Sequence, residues 1–84
     1  MLGILCGKGS AFRAGFITSR ATGHAFARNR VRRRLREIVR KHQPEICDGI
    51  WIVTIARASA AHATSAQLEA EWLRLAGRAS ILTA

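Results

Sequence analysis

Six arginines lie within ten consecutive residues, in the stretch RNRVRRRLRE from residue 28 to residue 37. Arginine carries a planar guanidinium group that can pair with two phosphate oxygens at once. Only Glu37 in this stretch can offset the charge, and a helical ion pair contributes only about 0.2 to 0.5 kcal/mol. A helix that simply faced water would mix its charges. The stretch therefore predicts a surface that binds a polyanion.

The charge of the whole chain supports this interpretation. Its 84 residues include 14 Lys and Arg against 5 Asp and Glu, which gives a formal net charge of +9. Such a charge attracts nucleic acids and anionic membranes. Hydrophobic residues make up 49%, too many for a disordered basic tail. The length fits one domain over residues 1–84. We therefore expect a single folded domain that carries the charge on its surface.

No set of side chains has the spacing of a catalytic or metal centre. The carboxylates are few, and His24, His42 and His62 form no dyad or ligand set. His42 instead falls on the apolar side of the basic segment, as a packed or helix-end residue. Cys6 and Cys47 lack the spacing of a zinc site or a disulfide framework. We expect no catalytic residue and no metal ligand in this chain.

The first residues do not resemble a targeting segment. The start MLGILCGKGSA has no positively charged n-region, and its apolar run is shorter than the ~7 to 15 residues of a signal sequence. No apolar stretch approaches the ~20 residues of a membrane span. Together with cysteines that we expect to be reduced thiols, these features favour a cytoplasmic protein.

The basic stretch has the apolar spacing of an amphipathic helix. Five residues fall within a sector of about 100° on a helical wheel: Val31, Leu35, Ile38, Val39 and His42. The cationic side chains fan over most of the remaining circumference. Pro44 ends the helix near His42, and we place its start near Ala25. The apolar stripe should pack on the core and leave the arginines outside.

Three segments have the composition of strands. Residues 2–6 and 12–19 flank a turn-like GKGS segment, and a hairpin or two neighbouring strands fits them best. Ile50–Ala56 is β-branched and aromatic without a charge, which indicates a strand in the middle of a sheet. We expect this strand to be the best buried of the three.

A second helix follows the third strand. Thr64 and Gln67 form the T-x-x-Q pattern of a capping box. The helix should carry Leu68, Trp72, Leu75 and Ala76 on one face and end near Gly77. The order β-β-α-β-α predicts a small two-layer α/β sandwich with both helices packed on the sheet, the arginine-rich helix forming a crossover.

The arrangement of the arginines limits which polyanions the helix can bind. A helix with arginines nearly all round it reads phosphates and shape, whereas the Asn and Gln pattern of a DNA major-groove helix is sparse. Membrane binding would need a free apolar face, but Val31, Leu35 and Ile38 must cover the sheet. We therefore expect a folded nucleic acid, recognised through its backbone, as the partner and no membrane; these residues alone leave both RNA and DNA open.

Three segments, GFITSRATGHAFARNRVRRRLRE, GIWIVTIAR and AQLEAEWLRL, together resemble the protein subunit of bacterial ribonuclease P. That family has a G-F-x-x-S-K-K strand, a G-x-A-V-x-R-N-R-x-K-R-x-x-R-E helix and a strand ending in I-A-R, and the similarity covers essentially residues 12–78. The resemblance implies an α/β sandwich whose basic helix lies in a left-handed crossover, an exception to the usual right-handed rule.

The resemblance also implies a function, with RNA and not DNA as the partner. In this family the RNA subunit removes the 5′ leader of precursor tRNA with Mg²⁺ ions held by the RNA and the substrate, while the protein binds both RNAs without a catalytic group of its own. The alternative is a general or ribosome-associated RNA-binding module without ribonuclease P activity. A self-contained nuclease would need an acid-base or metal constellation that the sequence lacks.

The family motif carries over to a defined set of residues. The candidate RNA-binding residues, including one further arginine of the same helix, are Arg20, Arg28, Asn29, Arg30, Arg32, Arg33, Arg36 and Arg40. Phe16 is a possible contact to the leader.

Ala21 replaces the second lysine of S-K-K, so one phosphate contact is expected to be missing. Phe26 replaces a valine, so packing beside the helix should differ. The family's extra N-terminal helix and the start of its first strand have no counterpart here, which puts leader binding in question.

Overall fold

A computed structural model describes residues 1–20 and 23–83. The regular elements, in chain order, are strand β1 (Leu2–Lys8), strand β2 (Arg13–Thr18), helix α1 (Ala25–His42), strand β3 (Ile50–Ala56) and helix α2 (Ser65–Arg78). Short 3-10 turns, Gln43–Glu45 and Ala58–His62, follow α1 and β3. The predicted order β-β-α-β-α is confirmed, and so are the predicted bounds of the basic helix.

The three strands form one sheet in the order β1-β3-β2. β3 pairs antiparallel with β1 and parallel with β2, so its predicted central position is confirmed. The prediction that the first two strands pair as a hairpin or as neighbours is wrong, because they lie at opposite edges. Two-sided pairing buries the apolar β3 more fully than a β1–β2 hairpin would. A bond from Gly9 N to Gly49 O of 2.7 Å ties the β1–β2 connection to the turn before β3.

One face of the sheet carries both helices. The register places Ile52, Thr54 and Ala56 of β3 on the same face as Leu2 of β1. All four are buried, and the indole Nε1 of Trp72 in α2 donates a hydrogen bond to Thr54 Oγ1 at 3.3 Å. The two-layer sandwich is therefore confirmed, with its core between this face and the helices.

The helices pack as their sequence patterns require. The buried residues of α1 are Val31, Leu35, Ile38 and Val39, four of the five in the predicted stripe. In α2 the capping box is formed, since Gln67 N donates to Thr64 Oγ1 at 3.1 Å and Thr64 N donates to Gln67 Oε1 at 2.9 Å. These contacts fix the faces on which the charged side chains must lie.

The other face of the sheet is open. Leu5, Ile17 and Trp51 are exposed on it, with exposed fractions of 58%, 53% and 38%. The indole of Trp51 lies over Gly7, where a Cβ atom would come within 2.5 Å of the ring. Glycine is therefore required at this position if the ring is to lie flat on the sheet.

Candidate nucleic-acid interface

The arginines of α1 fall into two groups by exposure. Arg33, Arg36 and Arg40 are exposed, while Arg30 and Arg32 are half-buried. Because the apolar stripe fixes the rotation of the helix, the exposed group forms a cationic surface that faces away from the core. The predicted outward fan is confirmed for the exposed group only.

Arg32 holds the helix to the sheet. Its Nη2 atom donates to Thr18 Oγ1 at 3.0 Å, and its Nη1 atom lies 3.5 Å from Asn29 Oδ1. Thr18 is the last residue of β2, so this arginine joins α1 to the strand that precedes it. Its guanidinium group is partly engaged before any ligand arrives.

Two further arginines bind the segment that follows β3, one at the 3-10 turn and one at the residue directly after it. Arg30 Nη2 donates to Ala61 O at 3.3 Å, and Arg34 Nη1 donates to Ala63 O at 3.1 Å. The helical wheel placed both side chains in the outward fan, because a wheel cannot show which loop will pack beside a helix. Arg34 stands at a variable position of the family motif, and the structure gives it a clear role in packing.

Arg36 covers the aromatic ring of Phe16. Its guanidinium carbon lies 5.9 Å from the ring centroid, within the range of a cation-π contact. Phe16 is opposite Thr54 in the register, so it lies on the helix-covered face and is half-buried there. The structure thus places Phe16 beneath α1 and away from the open face, and its contact with a leader stays a prediction.

Several guanidinium groups keep unused hydrogen-bonding capacity. Within the described residues, the buried Nε atoms of Arg28, Arg30 and Arg32 have no hydrogen-bond partner. Most buried polar groups in proteins are paired, and an unpaired one costs about 1 to 3 kcal/mol. These three donors are buried as well as unpaired, so they are a cost within the helix layer and do not themselves form a binding surface.

The N-terminal end of α1 adds to the positive potential. The N-cap residue His24 makes no side-chain cap, and the first turn contains no acidic residue. The partial positive charge of the helix dipole is therefore not offset there. Arg20 is exposed just before this end, and its carbonyl accepts a hydrogen bond from Gly23 N at 3.2 Å. The phosphate contact that we expect to be missing at Ala21 lies outside the described residues.

Phe26 projects from the same end of the helix. Its side chain is 79% exposed, so the ring contacts little of the protein, and the expected difference in packing from a valine stays a prediction. The sequence identified the position as unusual but could not show where the ring points.

His42 has the packed, helix-end position that the sequence predicted. Its Nδ1 atom lies 2.7 Å from Glu45 Oε2, and its Nε2 atom lies 2.7 Å from Glu69 Oε2. The ring stacks on Trp72 with 6.1 Å between the centroids. The hydrogen bond to Glu69 is the main reason that the pKa of His42 is raised, and burial opposes it. Conversely, His42 and Lys41 lower the pKa of Glu69. The cluster joins the end of α1 to α2.

The described ranges, residues 1–20 and 23–83, offer no centre for metal chemistry. No group of three His, Cys, Asp or Glu side chains there could hold a metal ion. Cys6 and Cys47 are free thiols. Among the helices of these residues, none has both the length and the apolar composition of a membrane-spanning segment.

The fold and the clustered charge define a small α/β protein that presents an arginine-rich helix on one face of a three-stranded sheet. The family model described as Ribonuclease P matches residues 2–80. The chain therefore belongs to the ribonuclease P protein family, as the sequence motifs indicated.

Individual relatives agree with this assignment. The ribonuclease P protein component of Roseiflexus sp. is 45% identical over 73 residues, which cover 86% of this chain and 60% of the relative. That of Chloroflexus aggregans is 40% identical over 78 residues, or 92% of this chain and 58% of the relative. In the Beutenbergia cavernae protein the match spans 48% of the relative. The chain thus spans about half the length of the curated relatives it matches.

Solved structures show the same fold. The Staphylococcus aureus RNase P protein has a TM-score of 0.86 and 25% identity, with 96% of this chain and 76% of that chain covered. The RNase P protein of Thermotoga maritima has a TM-score of 0.81 and 28% identity, covering 92% of this chain and 76% of that chain. The α/β sandwich described above is therefore the fold of this family.

Proposed function

We propose that this chain acts as the RNA-binding protein subunit of ribonuclease P, the endoribonuclease that removes the 5′ leader from precursor tRNA. The observation that carries the proposal is the exposed arginine surface of α1 on a fold shared with ribonuclease P proteins. In this function the RNA subunit carries the chemistry. The Mg²⁺ ions are held by that RNA and its substrate, and the protein supplies cationic contacts. Its place of action would be the cytoplasm, where precursor tRNA is processed in bacteria.

The exposed arginines would act by neutralising phosphates. Arg33, Arg36 and Arg40 lie on one helix and can each replace counterions condensed on an RNA strand. Release of those counterions favours binding, and the added positive charge reduces repulsion between the catalytic RNA and precursor tRNA. The protein thereby assists the reaction without donating or accepting a proton.

The half-buried arginines would make this surface rigid. Arg32 holds α1 to β2, and Arg30 and Arg34 hold it to the segment after β3. A surface that is fixed before binding loses less conformational entropy when the RNA docks. Arg30 and Arg32 are only half-buried, so the exposed parts of their guanidinium groups can also approach a phosphate.

Cleavage of a precursor tRNA by a bacterial ribonuclease P RNA at low Mg²⁺ tests the proposal. The wild-type protein should stimulate cleavage, and the variant with Arg33→Ala, Arg36→Ala and Arg40→Ala should stimulate it less. Arg78→Ala, an exposed arginine on the other helix, is the control for charge removal on another surface. The circular dichroism of all proteins should stay the same.

The salt dependence of RNA binding gives a second test of the same surface. Removal of one phosphate contact should reduce the slope of log affinity against log salt by about 0.7 to 0.9. An affinity for the catalytic RNA that hardly changes between low and moderate salt would contradict the proposal. Tight binding to many RNAs without stimulation of cleavage would favour a general or ribosome-associated RNA-binding module.

A further inference from the structure

The aromatic ring of Phe26 is more exposed than any other large hydrophobic side chain in the described residues. Its exposed fraction is 79%, against 58% for Leu5 and 53% for Ile17. Those two side chains lie on the open face of the sheet, whereas Phe26 lies in the first turn of the basic helix. An aromatic ring left in water on a charged helix gains nothing for folding, because it buries little apolar surface.

The surroundings of the ring are cationic and polar. Phe26, Asn29, Arg30 and Arg33 line a shallow cavity of about 200 Å³. Their spacing of three, four and seven residues from Phe26 places them on one side of the helix. The guanidinium group of Arg30 is already oriented by its bond to Ala61 O. The cavity is therefore lined by one aromatic residue, two arginines and one asparagine.

The arginines that line this cavity limit which kind of ligand can occupy it. An apolar protein surface would bury Arg30 and Arg33 without a partner, which is unfavourable. Glu37 lies one turn beyond Arg33 on the same side of α1, but the ion pairs of the described residues include none between these two side chains. A nucleotide offers both required groups, since its base has a flat π face and its phosphate is anionic.

We propose that Phe26 is a stacking platform for an unpaired RNA base, with Arg30 and Arg33 holding the adjoining phosphates and Asn29 facing the edge of the base. This inference rests on the proposed RNA-binding function and deepens it, because it adds a single-stranded nucleotide to the phosphates that the helix contacts. The family pattern has valine at this position, and valine has no π face to offer a base. The site is thus a property of this chain.

Substitutions that change the ring without changing the charge test the proposal. The probes are a short single-stranded oligouridine and an RNA duplex of the same length. Phe26→Ala and Phe26→Leu should both weaken oligouridine binding about tenfold at fixed salt, as the loss of one stacked base does. Phe26→Trp should keep the affinity. The salt slope should be the same in all of these variants, because no cation is removed, and duplex binding should hardly change.

Fluorescence reports the stacking directly. The Phe26→Trp protein should show quenching on adding oligouridine beyond that of the wild type, whose Trp51 and Trp72 give the baseline. Because the native ring is exposed, these variants should unfold at the wild-type temperature. Equal affinity of Phe26→Leu and wild type would overturn stacking in favour of a simple apolar contact. A Phe26→Ala protein that changes only in sedimentation would assign the ring to contact between copies, which also overturns the proposal.

The two proposals can fail separately. Unchanged oligouridine binding in Phe26→Ala, together with weakened binding to the catalytic RNA in Arg33→Ala, would refute the stacking site alone. Full binding to the catalytic RNA and full cleavage by the triple arginine variant would refute the proposed function.

Discussion

Arg33 and Arg34 are neighbours in α1, but their replacement should change different properties. We expect the loss of Arg33 to weaken RNA binding and the loss of Arg34 to lower stability. Arg34 donates to Ala63 O at 3.1 Å and is half-buried, whereas Arg33 is exposed. Methionine keeps most of the side-chain length and the helix propensity of arginine while removing the charge and the donors. The matched pair Arg33→Met and Arg34→Met therefore separates the two roles with the same chemical change one residue apart.

The structure sets the size of each effect. A hydrogen bond from a charged donor contributes about 1.5 to 3 kcal/mol when buried, and we take about 1 kcal/mol for Arg34 because water reaches part of it. For a domain of this size that loss lowers the melting temperature by about 4 to 8 °C. Arg33→Met should stay within about 0.5 kcal/mol of wild type. However, it should remove one phosphate contact and reduce the salt slope by about 0.7 to 0.9.

Thermal unfolding and a salt series of RNA binding measure the two quantities on the same samples. Arg30→Met should show both effects, since Arg30 binds Ala61 O and also borders the cavity beside Phe26. The assignment of Arg34 to packing is refuted if Arg34→Met melts like the wild type and reduces the salt slope as much as Arg33→Met does.

Three further changes test the core, the cap and the histidine cluster. Leu35→Ala should cost about 2 to 5 kcal/mol in chemical denaturation, because Leu35 is fully buried; a smaller loss would mean that the core collapses around the gap. Thr64→Ala should cost about 1 kcal/mol by removing the capping box, and Thr64→Ser should restore it. The raised pKa of His42 implies stability that is complete below pH ~6.5 and is lost as pH rises through the folded-state pKa; His42→Gln should flatten this dependence in a pH series of melting temperatures.

Much of the fold could be predicted because its signals are local. The stripe of Val31 and Leu35 fixed the rotation of α1, and Thr64 with Gln67 marked the start of α2. The choice of a partner strand for β1 has no such local signal. Its side chains are compatible with β2 or β3 as a neighbour, and the choice depends on how much of β3 is buried in the whole sheet.

The candidate site, like the fold, could be predicted from the sequence only where the signal is local. The sequence identified which residues are cationic, and the wheel separated them from the core. It could not show that Arg30 and Arg34 reach the carbonyls of Ala61 and Ala63, because those atoms belong to a segment about 30 residues away in the chain. The exposure of Phe26 was hidden for the same reason, since only the folded chain shows that the ring is 79% exposed among the described residues.

The division of the arginines into exposed and half-buried groups determines how the proposed RNA surface of α1 should be measured. A substitution at Arg32 releases α1 from Thr18 as well as removing a cation, so any decrease in RNA binding mixes a displaced helix with a missing phosphate partner. A substitution at Arg33 or Arg40 removes the cation alone, because neither side chain is buried. The affinity per phosphate contact is therefore obtained from the exposed arginines. The half-buried ones then report how much of that affinity depends on holding the helix rigid.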